Sequence, residues 1–178
     1  MIPFPDKKYN IIYADPAWHY QTWSEGSKRN VTSKYKTMSM DEIWDLPIKD
    51  ITDNDCILFL WVTFPKLLDC IKTIEKWGFT YKTCAFTWVK KNKKKDSWFW
   101  GLGYWTRANT ELCLLATKGT IKRQSAAVHQ IIDTPIERHS KKPDIVRDKI
   151  VELVGDLPRI ELFARETADG WDSWGNEL

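Results

Sequence analysis

NIIYADPAWHY, residues 10–20, opens as an apolar run and stops at an acid. YNIIYA (9–14) is short, apolar and carries β-branched isoleucines, the pattern of a buried strand. CILFLWV (56–62), FTYKTCAFTWVK (79–90), TELCLLAT (110–117), a weaker HQIIDTP (129–135) and RIELFA (159–164) read as strands too. Several are continuously apolar rather than alternating, which fits a sheet covered on both faces. PKLLDCIKTIEKWG (65–78) places apolar residues at 67, 68, 71, 74 and 77, a helical spacing that stops at Gly78. PDIVRDKIVELVG (143–155) is a second helix, with Pro143 tolerated in its first turn and Gly155 at its end. SMDEIWDL (39–46) starts on Ser39 with Glu42 three residues later, a capping box for a short helix. Strands interleaved with helices give an α/β fold. In such sheets ligands sit beyond the carboxyl ends of strands. Asp15, at the end of the first strand, therefore stands where a site belongs.

The 178 residues suffice for a single domain, 1–178, with a buried core. A net charge of +3 excludes a polycation, so a nucleic-acid partner would have to be met by locally clustered charge. Cys56, Cys70, Cys84 and Cys113 form no C-x-x-C pair, which argues against a zinc ribbon or a redox dithiol. Their apolar settings make them small hydrophobes. MIPFPDKKYN has no apolar signal core and no run reaches membrane-spanning length. A reduced, soluble, cytoplasmic protein is expected. Eleven tryptophans run from Trp18 to Trp174; most are expected in the core, some as stacking surfaces for planar ligands. Residues 20–37 are polar and aperiodic, a long loop of the kind that often carries function.

The bend itself has a chemistry. Asp15 precedes a proline and is held extended, while Pro16 has a fixed φ and no N–H. A carboxylate, nearby backbone carbonyls and the indole of Trp18 are thus fixed on one rigid corner. Two acceptors suit the two N–H groups of an exocyclic amine, and a ring suits a base by stacking, worth roughly 1–3 kcal/mol. Four letters alone read first as a strand-end turn.

Downstream blocks weigh on that choice: YKTMS (35–39), LFLWVT (58–63), GYWTRANTELCLLATKG (103–119), HSKKPD (139–144), IELFAR (160–165) and WDSWGNEL (171–178). With ADPAW they resemble, in order, the MT-A70 family of S-adenosylmethionine-dependent adenine-N6 methyltransferases, whose signature is Asp-Pro-Pro-Trp. The resemblance implies a Rossmann-like methyltransferase sheet with a permuted motif order, the substrate tetrapeptide early and the cofactor segments late. ELFAR has no G-x-G, so a nucleotide-fingerprint search passes over it. Ala17 departs from the family's second proline, and the pocket is expected to survive the change.

What the resemblance implies for residues follows. Asp15, with the Pro16 carbonyl, accepts from the adenine N6 amine by positioning and electrostatics. Trp18 stacks on or walls the base. Tyr35 gates the base, or merely packs. Trp61 of the LFLWVT block and Trp105 belong to the substrate side. Arg107 and Glu111 form a charged pair near the substrate channel, or an ion pair at a strand start. Ser140 and Lys142 belong to the cofactor side, Lys142 pairing with the cofactor carboxylate and Lys141 its alternative. A lysine at a helix start opposes the dipole, a conflict a bound carboxylate removes. Arg165, Asn176 and Glu177 lie at the cofactor ribose, and Asp15 borders the cofactor as well. His139 lines that site, while His129 is structural.

KKNKKKDSWFWGLGYW (90–105) sets lysines before Trp98, Phe99, Trp100, Tyr104 and Trp105. A lysine run is usually a solvated loop; beside these rings Lys91, Lys93, Lys94 and Lys95 also fit a basic lip on a nucleic-acid channel. KGTIKRQ (118–124) and Arg138 extend it. No H-x-E pattern accompanies the histidines, so a zinc deaminase and any metal are not expected. The expected enzyme transfers methyl groups from S-adenosylmethionine to adenine N6 in DNA, with RNA as the alternative target and a catalytically inactive nucleic-acid-binding subunit as the non-enzymatic one. Its length suits a bare catalytic domain from a bacterial or phage setting, monomeric or dimeric.

Overall fold

The structure, a computed structural model, describes residues 3–18, 38–103, 105–176 and 178. The loop assigned to 20–37, Tyr35 within it, Tyr104 and Glu177 lie outside the described residues. The elements run β1 (Tyr9–Ala14), α1 (Met40–Trp44), α2 (Ile48–Ile51), β2 (Thr52–Val62), α3 (Leu67–Lys76), β3 (Thr80–Val89), β4 (Thr110–Lys118), β5 (Ile131–Ile132), α4 (Ile145–Val154), β6 (Arg159–Leu162) and β7 (Asp172–Trp174). They form one seven-stranded sheet in the order β5-β3-β4-β2-β1-β6-β7. β4 runs antiparallel to both neighbours, and the other pairings are parallel. This is the α/β class read from the sequence, with helices on both faces of the sheet.

Strand parity divides the core. Ile12, Ala14, Leu58 and Leu60 face α1 and α3, where Ile43, Cys70 and Ile74 are buried. Ile11, Tyr13, Phe59, Trp61, Phe86 and Trp88 face α4, meeting Val146, Ile150 and Val154. The continuous apolar runs are therefore two interleaved stripes of period two, one for each helical layer. No helix among the described residues is long and apolar enough to cross a membrane.

Local signals held well where side chains dictate backbone. Ser39 Oγ accepts from the Glu42 amide at 3.2 Å, and Glu42 accepts from the Ser39 amide at 2.7 Å, completing the capping box. Several boundaries differ. β2 begins at Thr52, not Cys56, because the polar Asp53–Asp55 segment lies at the sheet's margin, where its side chains reach water. α4 begins after Pro143, whose carbonyl accepts from the Val146 amide. β5 shrinks to two residues, and β6 stops at Leu162 because Phe163 turns left-handed at φ 61°. α2 and β7 were not expected; each is too short for a periodic signal.

Candidate active site

Parity also builds the site. Asp15 follows Ile11 and Tyr13 on the α4 side, Trp61 follows Ile57 and Phe59, Glu111 precedes Cys113, and Lys90 follows Phe86 and Trp88. β1, β2 and β3 end at the edge of the sheet where β4 begins. Lys142, just before α4, drops among these residues.

The result is a buried chain of alternating charge. Lys142 Nζ donates to Asp15 Oδ2 at 2.6 Å and lies 3.3 Å from Glu111 Oε2. Lys90 Nζ donates to Glu111 Oε1 at 2.5 Å. A longer contact, 3.4 Å, joins Lys142 to the Ser140 carbonyl. The Lys142 ammonium sits 5.6 Å from the centre of the Trp61 ring. Trp61 in turn donates its indole N–H to the Tyr13 hydroxyl at 2.7 Å, and its carbonyl accepts the Trp18 indole N–H at 3.0 Å. Burial works against every charge here, and pairing decides the outcome. Burial would lower Lys142, but Asp15 and Glu111 together push its pKa above the ordinary lysine value and keep it an ammonium. Burial would raise Glu111, but Lys142 and Lys90 together carry it below the ordinary carboxylate value. For Asp15 burial prevails over Lys142, so its carboxyl is raised. Its side chain remains 26% exposed, within reach of a ligand.

Beside these charges the paired strands β1 and β6 end side by side. From β1 the chain moves to β2 on one side, while β6 leads to β7 on the other. That is a topological switch point, and Asp15 stands at its mouth. β6 turns away on Phe163 at φ 61°, a left-handed position that favours glycine. A bulky residue there costs roughly 1–3 kcal/mol and persists only where packing over-determines it; Phe163 packs edge-on against Trp174, 5.6 Å between ring centres. The Ala164 amide donates to the Trp174 carbonyl at 3.0 Å. Gly175 passes so close that a Cβ would lie 2.2 Å from the Ala164 carbonyl oxygen. The glycine of WGNEL is thus needed for backbone approach. Arg165 donates to the His139 carbonyl at 3.2 Å, tying the β6 loop to the loop that carries Lys142. Ser140, at φ 62°, shapes that second loop.

A profile of the MT-A70 family matches residues 9–177, nearly the whole chain. The chain belongs to the MT-A70 family. It is 38% identical to the type II methyltransferase M.MunI of a Mycoplasma species, over 98% of this chain and 79% of that protein. It is 27% identical to human METTL4, an N(6)-adenine-specific methyltransferase, over 97% of the chain and 38% of that protein. It is 25% identical to the N6-methyladenosine RNA methyltransferase MTA1 of Pyricularia oryzae, over 96% and 47%. The chain spans less than half the length of the last two.

Several residues assigned from the MT-A70 motifs take other positions than expected. Trp18 is 4% exposed and anchored to the Trp61 carbonyl, so its ring is core and offers no open stacking face. Trp61, expected on the substrate side, is wholly buried beneath the charge chain. The Pro16 carbonyl already accepts the Trp18 amide at 2.8 Å, a tight three-residue turn that leaves only its second lone pair for an amine. Glu111 pairs with Lys90 and Lys142 rather than with Arg107, which is exposed. Lys142 spends its N–H groups on Asp15, Glu111 and Ser140, so a cofactor carboxylate meets it only by displacing one of them. Lys141 is held by Glu137, Asp144 and Glu166. Lys91 sits between Asp96 and Asp133, whereas Lys93, Lys94 and Lys95 are exposed. Trp105 is 91% exposed, and Asn176 is exposed just past the end of β7.

Sequence reading missed Lys90 and Tyr13. Lys90 opens the lysine run in sequence, yet it shares parity with Phe86 and Trp88 and so points inward. Tyr13 looked like one more apolar residue, and its hydroxyl carries the polar role.

Proposed function

We propose that this chain transfers a methyl group from S-adenosylmethionine to the N6 amine of adenine in DNA, as a single catalytic domain in the cytoplasm of a bacterial or phage-infected cell. One observation carries the reading: Asp15 stands at the β1/β6 switch point, partly open and clamped by a buried lysine. The donor set fits the proposed cofactor. Arg165 supplies a guanidinium and Asn176 an amide for ribose hydroxyls, and Asp15 a carboxylate for an ammonium. When bound, S-adenosylmethionine supplies an electrophilic methyl on sulfonium, which leaves as a neutral thioether.

The protein's part is positioning and charge. Asp15 Oδ accepts from an N6–H and turns the nitrogen lone pair out of the ring plane. Positive charge develops on N6 as its bond to the methyl forms, and the fixed carboxylate stabilises that charge without reorganising. Lys142 keeps the carboxylate in one rotamer, and Glu111 and Lys90 keep Lys142 in place. The surplus proton of the methylated nitrogen lies in the hydrogen bond to Asp15, whose burial-raised carboxyl suits it to receive that proton. The higher identity to a type II methyltransferase than to the RNA methyltransferases supports DNA over RNA. Methyl transfer to matched single- and double-stranded DNA and RNA oligonucleotides, with the modified adenine mapped, tests this. N6-methyladenine in DNA is expected; modification of RNA alone, or of neither, overturns the assignment.

A further inference from the structure

Resting on that reading, we propose that the β3–β4 connection carries a stacking surface for unpaired bases flanking the target adenine. The connection rises from the same edge of the sheet as Asp15, because β3 ends and β4 begins there. It is a built structure. Lys91 and Trp98 form an antiparallel bridge, and the Phe99 amide donates to the Lys90 carbonyl at 2.9 Å. The Gly101 amide donates to the Ala108 carbonyl at 2.8 Å. A Cβ at Gly103 would lie 1.8 Å from the Thr106 carbonyl oxygen, so the chain doubles back there only on glycine.

Against that frame, exposure alternates residue by residue. Trp98, Trp100 and Leu102 are 44%, 64% and 91% exposed, while Phe99, Gly101 and Gly103 between them are partly covered. Alternate side chains here share exposure, and where backbone is fully extended such side chains stand about 7 Å apart. That is twice the 3.4 Å rise of stacked bases, so about one base has room between successive side chains. Large apolar surface on an ordered segment is uncommon without a partner. The occupant is indicated by charge: Lys93, Lys94 and Lys95 are exposed at the tip, within the turn that the Asn92 amide closes onto the Ser97 carbonyl. Lysines beside indoles are the two halves of a single-strand site, one for phosphates and one for bases. A second copy of this chain fits less well, since a symmetric contact would bring two lysine clusters together.

The test uses the full chain and a fluorescein-labelled single-stranded DNA 12-mer carrying one adenine. Trp100→Ala is expected to weaken binding roughly 5- to 100-fold, with Trp100→Phe recovering most of it. Replacing Lys93, Lys94 and Lys95 by Ala is expected to flatten the log–log salt dependence by about two units, at about 0.7 per lost phosphate contact. Wild-type affinity in Trp100→Ala overturns the proposal. So does a drop in oligomeric mass with DNA affinity intact, which assigns the face to self-association. The two readings separate cleanly: Trp100-dependent binding without any adenine methylation by the wild type keeps this surface and removes the proposed reaction. Methylation with Trp100-independent binding does the reverse.

Discussion

Lys142→Met removes the cation that holds two buried carboxylates, with little change in side-chain length. At an effective dielectric of about 20, the 2.6 Å contact to Asp15 is worth about 6 kcal/mol and the 3.3 Å contact to Glu111 about 5 kcal/mol. Most of that is offset because the methionine no longer carries a desolvated charge. Breaking a buried pair from one side leaves a net loss of about 3–5 kcal/mol at neutral pH. The pH dependence has a definite sign. Glu111 has a lowered folded pKa, so it contributes stability above its ordinary value that is lost as pH falls through the folded one. Asp15 has a raised folded pKa, so its ionisation costs stability that is regained as pH falls through that value. Without Lys142 both carboxyls move up, and protonation relieves the variant sooner than the wild type. The wild-type-minus-variant difference is therefore largest near pH 7.5 and shrinks toward pH 5. Urea unfolding of both proteins at the two pH values measures it. A difference under about 1 kcal/mol at pH 7.5, or one unchanged at pH 5, would refute the electrostatic account of the chain.

Three further substitutions probe the frame. At Phe163, whose φ is 61°, F163G should be more stable than F163A by about 1 kcal/mol, a reversal of the usual order that thermal unfolding would detect. Gly175→Ala should cost about 2 kcal/mol and weaken S-adenosylmethionine binding in calorimetry, because its Cβ meets the Ala164 carbonyl rather than a movable side chain. Trp18→Phe keeps the ring but strands the Trp61 carbonyl, and denaturant unfolding should show a loss of about 1–2 kcal/mol.

The sheet was legible because its strands are long and apolar, and because helices need their spacing. Both helices longer than two turns, the Ser39 capping box and the edge at which Asp15 emerges could all be read from side-chain pattern. The reading ran out where pattern stops reporting contact. Trp18 and Trp61 look like ligand rings in a motif, but Trp18 follows β1 and Trp61 lies within β2, and both are in the core. Glu111 and Arg107 are near in sequence, yet β4 parity sends Glu111 inward with Cys113 to lysines 21 and 31 residues away. Lys90 shows the remedy: counting by twos from Phe86 and Trp88 separates it from the solvated lysines that follow. The left-handed turn at Phe163 left no sequence signal, since the residue type argues against it.

Whether Asp15 receives the adenine amine is decided by Asp15→Asn. Asparagine keeps the size and leaves Lys142 paired with Glu111, so the fold should persist. Its amide offers one acceptor but no charge to the nitrogen as it takes the methyl. The measurement is single-turnover formation of N6-methyladenine in DNA with saturating S-adenosylmethionine. Loss of a fixed group that stabilises the transition state predicts a fall of at least about 10²-fold. A rate within about threefold of the wild type in a folded, cofactor-binding variant would contradict the role assigned to Asp15, since that change is under 1 kcal/mol of barrier.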